Sequence, residues 1–200
     1  MIKIAHMFQK LQPTKNTIVV DTTSKSGQWS ELSPFLLGPC PLYGTYVSLN
    51  MENGWQYAKV YEQYTYVCKT SLPYGVELST NYWKWATTGW SDKVAHRFPM
   101  GKGEKPLFSL WDGNKLSYID ARKQIYVPLY ARAVVEKSAY IELQKLLAEG
   151  KDLVLRDWDG YDHTGVTLSQ VLNNPQRKMG HAFVLEMLLT QDEALAECGI

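Results

Sequence analysis

The run Arg177-Lys178-Met179-Gly180-His181-Ala182-Phe183-Val184-Leu185-Glu186-Met187-Leu188-Leu189 is the strongest constraint on this chain. A helix that is apolar on most sides cannot lie on a surface, so this one must be central and buried. Gly180 within it marks a close approach by a neighbouring element or by a ligand. His181 is read as a core histidine with its hydrogen bonds satisfied rather than as a base. A buried central helix needs layers around it, and 200 residues suffice for one domain with a sizeable core.

The other elements alternate without repeats. Thr17–Asp21 and Asp152–Arg156 read as short β-branched or apolar strands. Residues 1–16 carry no clear period, and Pro13 ends whatever precedes it. Residues 29–46 hold Pro34, Gly38, Pro39, Pro41 and Gly44, which forces an irregular wall. Helices are predicted from Asn50 to about Tyr64, from Asn81 to near Gly89, from Lys115 to about Val135 with a kink at Pro128, and over Ala139–Glu149. Residues 65–78, with Pro73 and Gly75, form a loop-like insertion, and Thr167 caps a short helix ending at Asn173. The expected fold is a single, mainly helical α+β domain with a few short strands. Its divisions are an N-terminal extension over 1–29, the domain proper over 30–190 and a tail over 191–200.

Chemistry concentrates at the Asn50 helix. At helical spacing Glu52, Gln56 and Lys59 share one face, with Glu52 in the first turn where the helix favours a carboxylate. Trp55, Tyr57, Tyr61 and Tyr64 supply aromatic walls. Such a stripe is also what an ordinary solvated face looks like. Further along, Gly101-Lys102-Gly103-Glu104-Lys105 has the small residues and cations that let backbone N–H groups approach a phosphate, although such pairs are more often turns. Asp157-Trp158-Asp159-Gly160-Tyr161-Asp162-His163 crowds carboxylates at a strand end, which fits acid–base work and equally fits Asx turns.

Three of these blocks resemble the NADAR family of N-glycosidases, together with Leu32-Ser33-Pro34-Phe35. Glu52-Asn53-Gly54-Trp55-Gln56-Tyr57-Ala58-Lys59 is similar to its Glu-His…aromatic-Gln-Ala-x-Lys helix. Lys105-Pro106-Leu107-Phe108-Ser109-Leu110-Trp111 matches its Lys-Pro-Leu-x-x-x-Trp segment. Arg177–Val184 is similar to its Asn-x-Leu-Gly-x-x-Leu-Met segment, with the Asn displaced. The resemblance covers roughly residues 30–190 and implies a NADAR-like fold. It implies hydrolysis of an N-glycosidic bond in a phosphorylated nucleotide or ADP-ribose-type substrate, including ADP-ribose carried on nucleic acid. Glu52, Trp111 and Asp159 (Asp157 as runner-up) would be catalytic. Asn53, Gln56, Lys59, Gly101, Lys102, Gly103, Lys105 and Gly180 would bind substrate. Asn53 stands where the family has His, so a branch that binds nucleotides without cleaving them is the alternative.

Composition excludes several classes. The formal net charge is +1, so any nucleic-acid contact must be a local patch, for which Lys93, Arg97, Lys102 and Lys105 near Trp83, Trp85 and Trp90 are the candidates. The three cysteines are scattered and the four histidines lack metal spacing, so no metal or cofactor is expected. That cysteine usage, with no apolar leader or membrane-length run, predicts a cytoplasmic location and no membrane partner.

Overall fold

A computed structural model of the chain describes residues 1–68 and 75–200. In chain order it contains β1 (Ile2–His6), β2 (Thr17–Asp21), β3 (Cys40–Pro41), β4 (Val47–Ser48), α1 (Met51–Gln56), β5 (Lys59–Val60), β6 (Thr65–Cys68) and β7 (Gly75–Leu78). Then come α2 (Asn81–Trp90), β8 (Phe108–Trp111), β9 (Asn114–Leu116), α3 (Tyr118–Ala121), a π-turn over Arg122–Tyr126 and α4 (Val127–Val134). The chain ends with α5 (Ser138–Ala148), β10 (Asp152–Asp157), α6 (Leu168–Leu172), α7 (His181–Thr190) and a 3-10 turn over Glu193–Cys198. Helices and several small sheets form one domain, and among the described residues no helix is long and apolar enough to cross a membrane.

The largest sheet has three parallel strands in the order β1-β10-β2. Leu153 pairs with Ile2 on one side and Ile18 on the other, and Leu155 with Ile4 and Val20. Leu153, Val154 and Leu155 are all buried, as a central parallel strand requires when both faces are covered. The stretch 1–29 is therefore no appendage, because it supplies both neighbours of the central strand. Its lack of an obvious period reflects a strand of only five residues whose buried positions, Ile4 and Ala5, are adjacent rather than alternating.

α7 is the buried helix the sequence demands, packed against α4, β10 and β1. It begins at His181, not Arg177, because residues 175–180 are spent on a loop at the end of the sheet. Other limits also move. α1 stops at Gln56 because Lys59 and Val60 leave the helix to pair with Ser109 and Phe108 in β8. Lys115 belongs to a strand: Asp112 and Gly113 both have positive φ (46° and 78°), which makes a tight hairpin joining β8 to β9. The expected long helix thus starts at Tyr118, capped by Ser117 Oγ accepting from the Asp120 N–H at 3.2 Å. Pro128 sits in the first turn after the π-turn, where its missing N–H has least consequence. The stretch 65–78, expected to be loop-like, instead contributes β6 and β7, which pair antiparallel, and its Pro73 lies outside the described residues.

The tail is also part of the packing. Ala194 is buried, and Glu197 accepts hydrogen bonds from Lys123 Nζ (2.7 Å) and Asn173 Nδ2 (3.0 Å) and from Ser169 Oγ. These donors, Asn173 first, hold the Glu197 carboxyl at about 2, well below its ordinary 4.5. A depressed folded-state value means stability that is present above pH 4.5 and lost as pH falls toward 2. Glu197→Gln should therefore be less stable than wild type in urea at pH 7, with the gap narrowing below pH 4.5 and closing only as pH falls to about 2.

Candidate functional site

A cavity of about 890 Å³ lies between α1, the π-turn, the start of α7 and the loops 97–107 and 157–159. That size is within the range of small-ligand sites. Seven Lys and Arg side chains line it against four Asp and Glu. Only Arg97 among those cations pairs with a lining carboxylate: its Nη2 donates to Asp159 Oδ2 at 2.7 Å. The cavity therefore presents a positive field on a chain whose overall charge is close to neutral, which favours an anionic ligand.

Glu52 is almost fully buried at the wall of the cavity. Asn50 caps α1 by accepting from the Asn53 N–H at 2.8 Å, and the Glu52 N–H donates to the Pro34 carbonyl at 3.0 Å. The Glu52 side chain is thereby fixed at its root. Gln56 Nε2 donates to Glu52 Oε1 at 2.9 Å, and Lys59 Nζ donates to Gln56 Oε1 at 2.6 Å. Lys59 is no longer on the helix, yet the chain turns so that the carboxyl, amide and amine still form one line. Lys59 Nζ also lies 4.7 Å from the Trp55 ring centre. Burial pushes the Glu52 carboxyl up and the Lys59 ammonium down, each opposed by the other's charge.

Beside this line stands Asp157, the last residue of β10. It accepts from the backbone N–H of Asp159 at 3.2 Å and of Ala182 at 3.1 Å, and His181 Nδ1 lies 3.1 Å from its Oδ2. α7 has Gly180 at its N-cap and no capping side chain of its own, so Asp157 caps it from another strand. A Cβ at Gly180 would stand 2.1 Å from Asp157 Oδ2, which makes glycine obligatory there for steric reasons. Tyr126 lies in the field of both Asp157 and Glu52, and its phenol is pushed far up, first by burial and then by those charges.

Arg122 forms another wall. Its guanidinium is buried and, among the described residues, has no carboxylate partner. Nη1 donates to the carbonyls of Val171 (3.3 Å), Leu172 (3.1 Å) and Asn174 (2.8 Å), and Nη2 to Tyr118 Oη (2.9 Å) and the Arg177 carbonyl. One charged fork thus ties the loop after α6 to the π-turn and sets the position of Arg177 and Lys178.

Of the residues expected from sequence, Glu52, Gln56, Lys59, Gly101, Gly103, Lys105, Asp159 and Gly180 line this one cavity. Gly101 and Gly103 have φ of 104° and 102°, so glycine is needed at both turns whatever they bind. Three expected residues lie elsewhere. Trp111 is not in the lining and packs edge-on to Tyr43 at 4.8 Å. Lys102 is exposed, outside the lining. Asn53 is fully buried: its Nδ2 donates to the carbonyls of Asp92 (3.1 Å) and Val94 (2.8 Å), and its Oδ1 accepts from the His96 N–H at 2.8 Å. That amide is consumed in fixing the 92–96 loop and has nothing left for a ligand.

The sequence reading gave Arg122 no role at the site, set His181 aside as a core histidine and ranked Asp157 second. For Arg122 a signal existed, a charged residue at a position of the apolar stripe. For His181 none pointed to the cavity, because its neighbours there, Asp157 and Thr22, are 24 and 159 residues away in the chain. Among the described residues no group of three or more metal-ligating side chains is placed to hold an ion. No family model, curated protein or solved structure matches this chain.

Arg122→Lys should cost about 2–4 kcal/mol, since an ammonium cannot serve five acceptors and leaves buried carbonyls unpaired. Urea unfolding would measure the loss, and amide exchange should quicken in residues 171–178. Wild-type exchange in that loop would show that Arg122 does not hold it.

Proposed function

We propose that this chain is an N-glycosidase for an anionic, phosphorylated nucleotide-like substrate. The observation that carries the reading is the Glu52–Gln56–Lys59 line opening on a cavity whose cations outnumber its acids. Breaking a ribose–base bond needs a carboxylate near the sugar carbon, because the transition state resembles an oxocarbenium ion. As the bond breaks, its electron pair stays on the base nitrogen, which must then gain a proton. Water adds to the sugar carbon and gives up a proton.

In this reading Glu52 takes the proton from water or faces the oxocarbenium ion. Its burial raises its pKa above the usual carboxylate range, closer to neutrality, where an acid–base group works best. Gln56 fixes the carboxyl, and Lys59 supplies the nearby positive charge that opposes full protonation. Phosphate oxygens would meet Lys105, Lys178 and the backbone of the Gly101–Gly103 turn. In place of Trp111, the exposed Trp158 in the lining would stack on a flat base, while the Tyr118 and Phe98 rings stand against Arg122 and Lys178. Asp159, held by Arg97, would orient sugar hydroxyls.

The assay is incubation with NAD, ADP-ribose, nucleoside monophosphates and ADP-ribosylated DNA, followed by chromatography for free base. On a substrate that is turned over, Glu52→Gln should lower kcat by roughly two to four orders of magnitude with binding nearly kept. Wild-type turnover by Glu52→Gln would remove Glu52 from the chemistry. Saturable binding of these ligands with no product from the wild type would identify a binding protein instead.

A further inference from the structure

Glu186 has no part in the site above, yet it is the one acidic residue of the apolar helix α7. It comes five positions after His181, roughly 140° further round the helix, and so faces another part of the molecule. There a second cavity, of about 340 Å³, opens between the end of α7, the residues that follow it and the loop leading into α6. Glu186 is 7% exposed, and its Oε2 is fully buried and makes no hydrogen bond. His163 Nε2 stands 3.4 Å from that oxygen without donating to it, and burial lowers the His163 pKa, which works against a charged partner. Burial first, then the Asp192 charge, pushes the Glu186 carboxyl up to about 7. A buried carboxyl with no donor is a standing cost to the fold, and a ligand that brings donors removes it.

The other polar groups of this cavity are already engaged. Thr190 Oγ1 donates to the Glu186 carbonyl at 2.8 Å, and Thr167 Oγ1 accepts from the Gln170 N–H at 3.1 Å. Ser169 Oγ donates to Glu197, and Asp192 Oδ1 accepts from the Ala194 N–H at 2.9 Å. What remains is negative: Glu186 at depth, the half-buried Asp192 and the exposed Glu193, with no Lys or Arg among the described lining residues. Val166 and Leu168 add apolar surface. Among the described residues no group of three metal-ligating side chains is placed to hold an ion, so the chemistry that fits is an organic cation. We propose that this second cavity is a binding site for a short aliphatic diamine. One ammonium donates to Glu186 Oε2, the methylenes lie on Val166 and Leu168, and the second ammonium meets Glu193 at the mouth. An ammonium is a compact point charge that one buried oxygen can hold, whereas a guanidinium calls for a planar pair of acceptors. The site shares no lining residue with the larger cavity, so it stands whether or not the glycosidase reading does.

Calorimetric titration of the protein with putrescine (a four-carbon diamine) at about pH 8, where an aliphatic ammonium is still charged, should give saturable binding at one site. Butylamine, which lacks the second ammonium, should bind several-fold more weakly, and butanol should not bind. Glu186→Gln keeps the shape of the side chain and removes its charge. Its affinity for putrescine should be lower by roughly tenfold or more. Glu193→Gln should weaken putrescine and leave butylamine unchanged. Backbone amide NMR of the wild type locates the binding without any variant, with shifts concentrated in residues 163–169 and 186–193. Absence of saturable binding, shifts confined to the lining of the larger cavity, or wild-type affinity in a folded Glu186→Gln protein would each overturn the proposal. So would tighter binding of Nα-acetyl-lysine methylamide than of putrescine, which would make the occupant a lysine side chain of another protein.

Discussion

Asp157 is the joint on which the site depends. It ends the central strand of the main sheet, and its side chain does the work of an N-cap for a helix that begins 24 residues later. The strand is buried on both faces and α7 is the most apolar helix of the chain, so neither can shift without opening the core. A carboxylate at that junction gains two backbone donors and an imidazole, and so is satisfied without water. Gly180 is the steric condition for this arrangement, since any side chain there would occupy the space of the carboxyl. Strand, cap and glycine together place one acidic group at a fixed point of the cavity wall. The turn after it, drawn close to β1 because a Cβ on Gly160 would stand 2.6 Å from the Ala5 carbonyl, carries Asp159 and Trp158 to the rim.

The same wall explains why the cavity is positive although the chain is not. Arg122 is buried, and its two terminal nitrogens donate to neutral oxygens, an arrangement that satisfies them without cancelling the charge. Its acceptors are the carbonyls of the very loop that presents Arg177 and Lys178. Arg177 in turn lies over the Tyr161 ring at 3.4 Å, and Lys178 stands 5.4 Å from the Phe98 ring. Aromatic faces anchor these cations without neutralising them, so their charge remains available to a ligand. A carboxylate partner in place of those rings would have anchored them equally well and erased the field.

What the sequence disclosed, and what it hid, divides by range of interaction. Local signals held: the apolar α7, the Thr167–Gln170 capping box of α6, the α2 and α5 limits within a residue or so, and the β2 strand all follow from side chains near one another in the chain. Of the expected site residues, eight line one cavity, because glycines at turns and polar residues beside aromatics mark places where backbone must come close to something. The failures came from tertiary pairing. Lys59 reads as helical until β8 claims it, and Lys115 reads as a helix start although Asp112-Gly113 is a hairpin turn by its dihedral angles. Trp111 ends a segment whose residues 105–109 line the cavity, but the β8–β9 hairpin carries its own ring away to pack against Tyr43. Ile2–His6 has too few residues for a period to be visible, and becomes a strand only because β10 lies beside it.

Asn53 shows how far a single departure from a family pattern can carry. Read on the chain alone, an amide in place of an imidazole next to Glu52 suggested a site altered or silenced. In the fold its donor and acceptor atoms are wholly taken by the backbone of residues 92–96, and it is the most buried of the polar groups of α1. Its partner loop then bends back, with the Asp92 carboxyl against the His96 ring at 2.8 Å, and sends Arg97 into the cavity to meet Asp159. The amide therefore acts on the site through the chain that follows it, not through a proton. An imidazole could not reproduce two donated and one accepted bond to the same loop. The identity of residue 53 thus reports on how loop 92–97 is folded, and the ionisable pair of the site is Glu52 with Lys59, linked through Gln56.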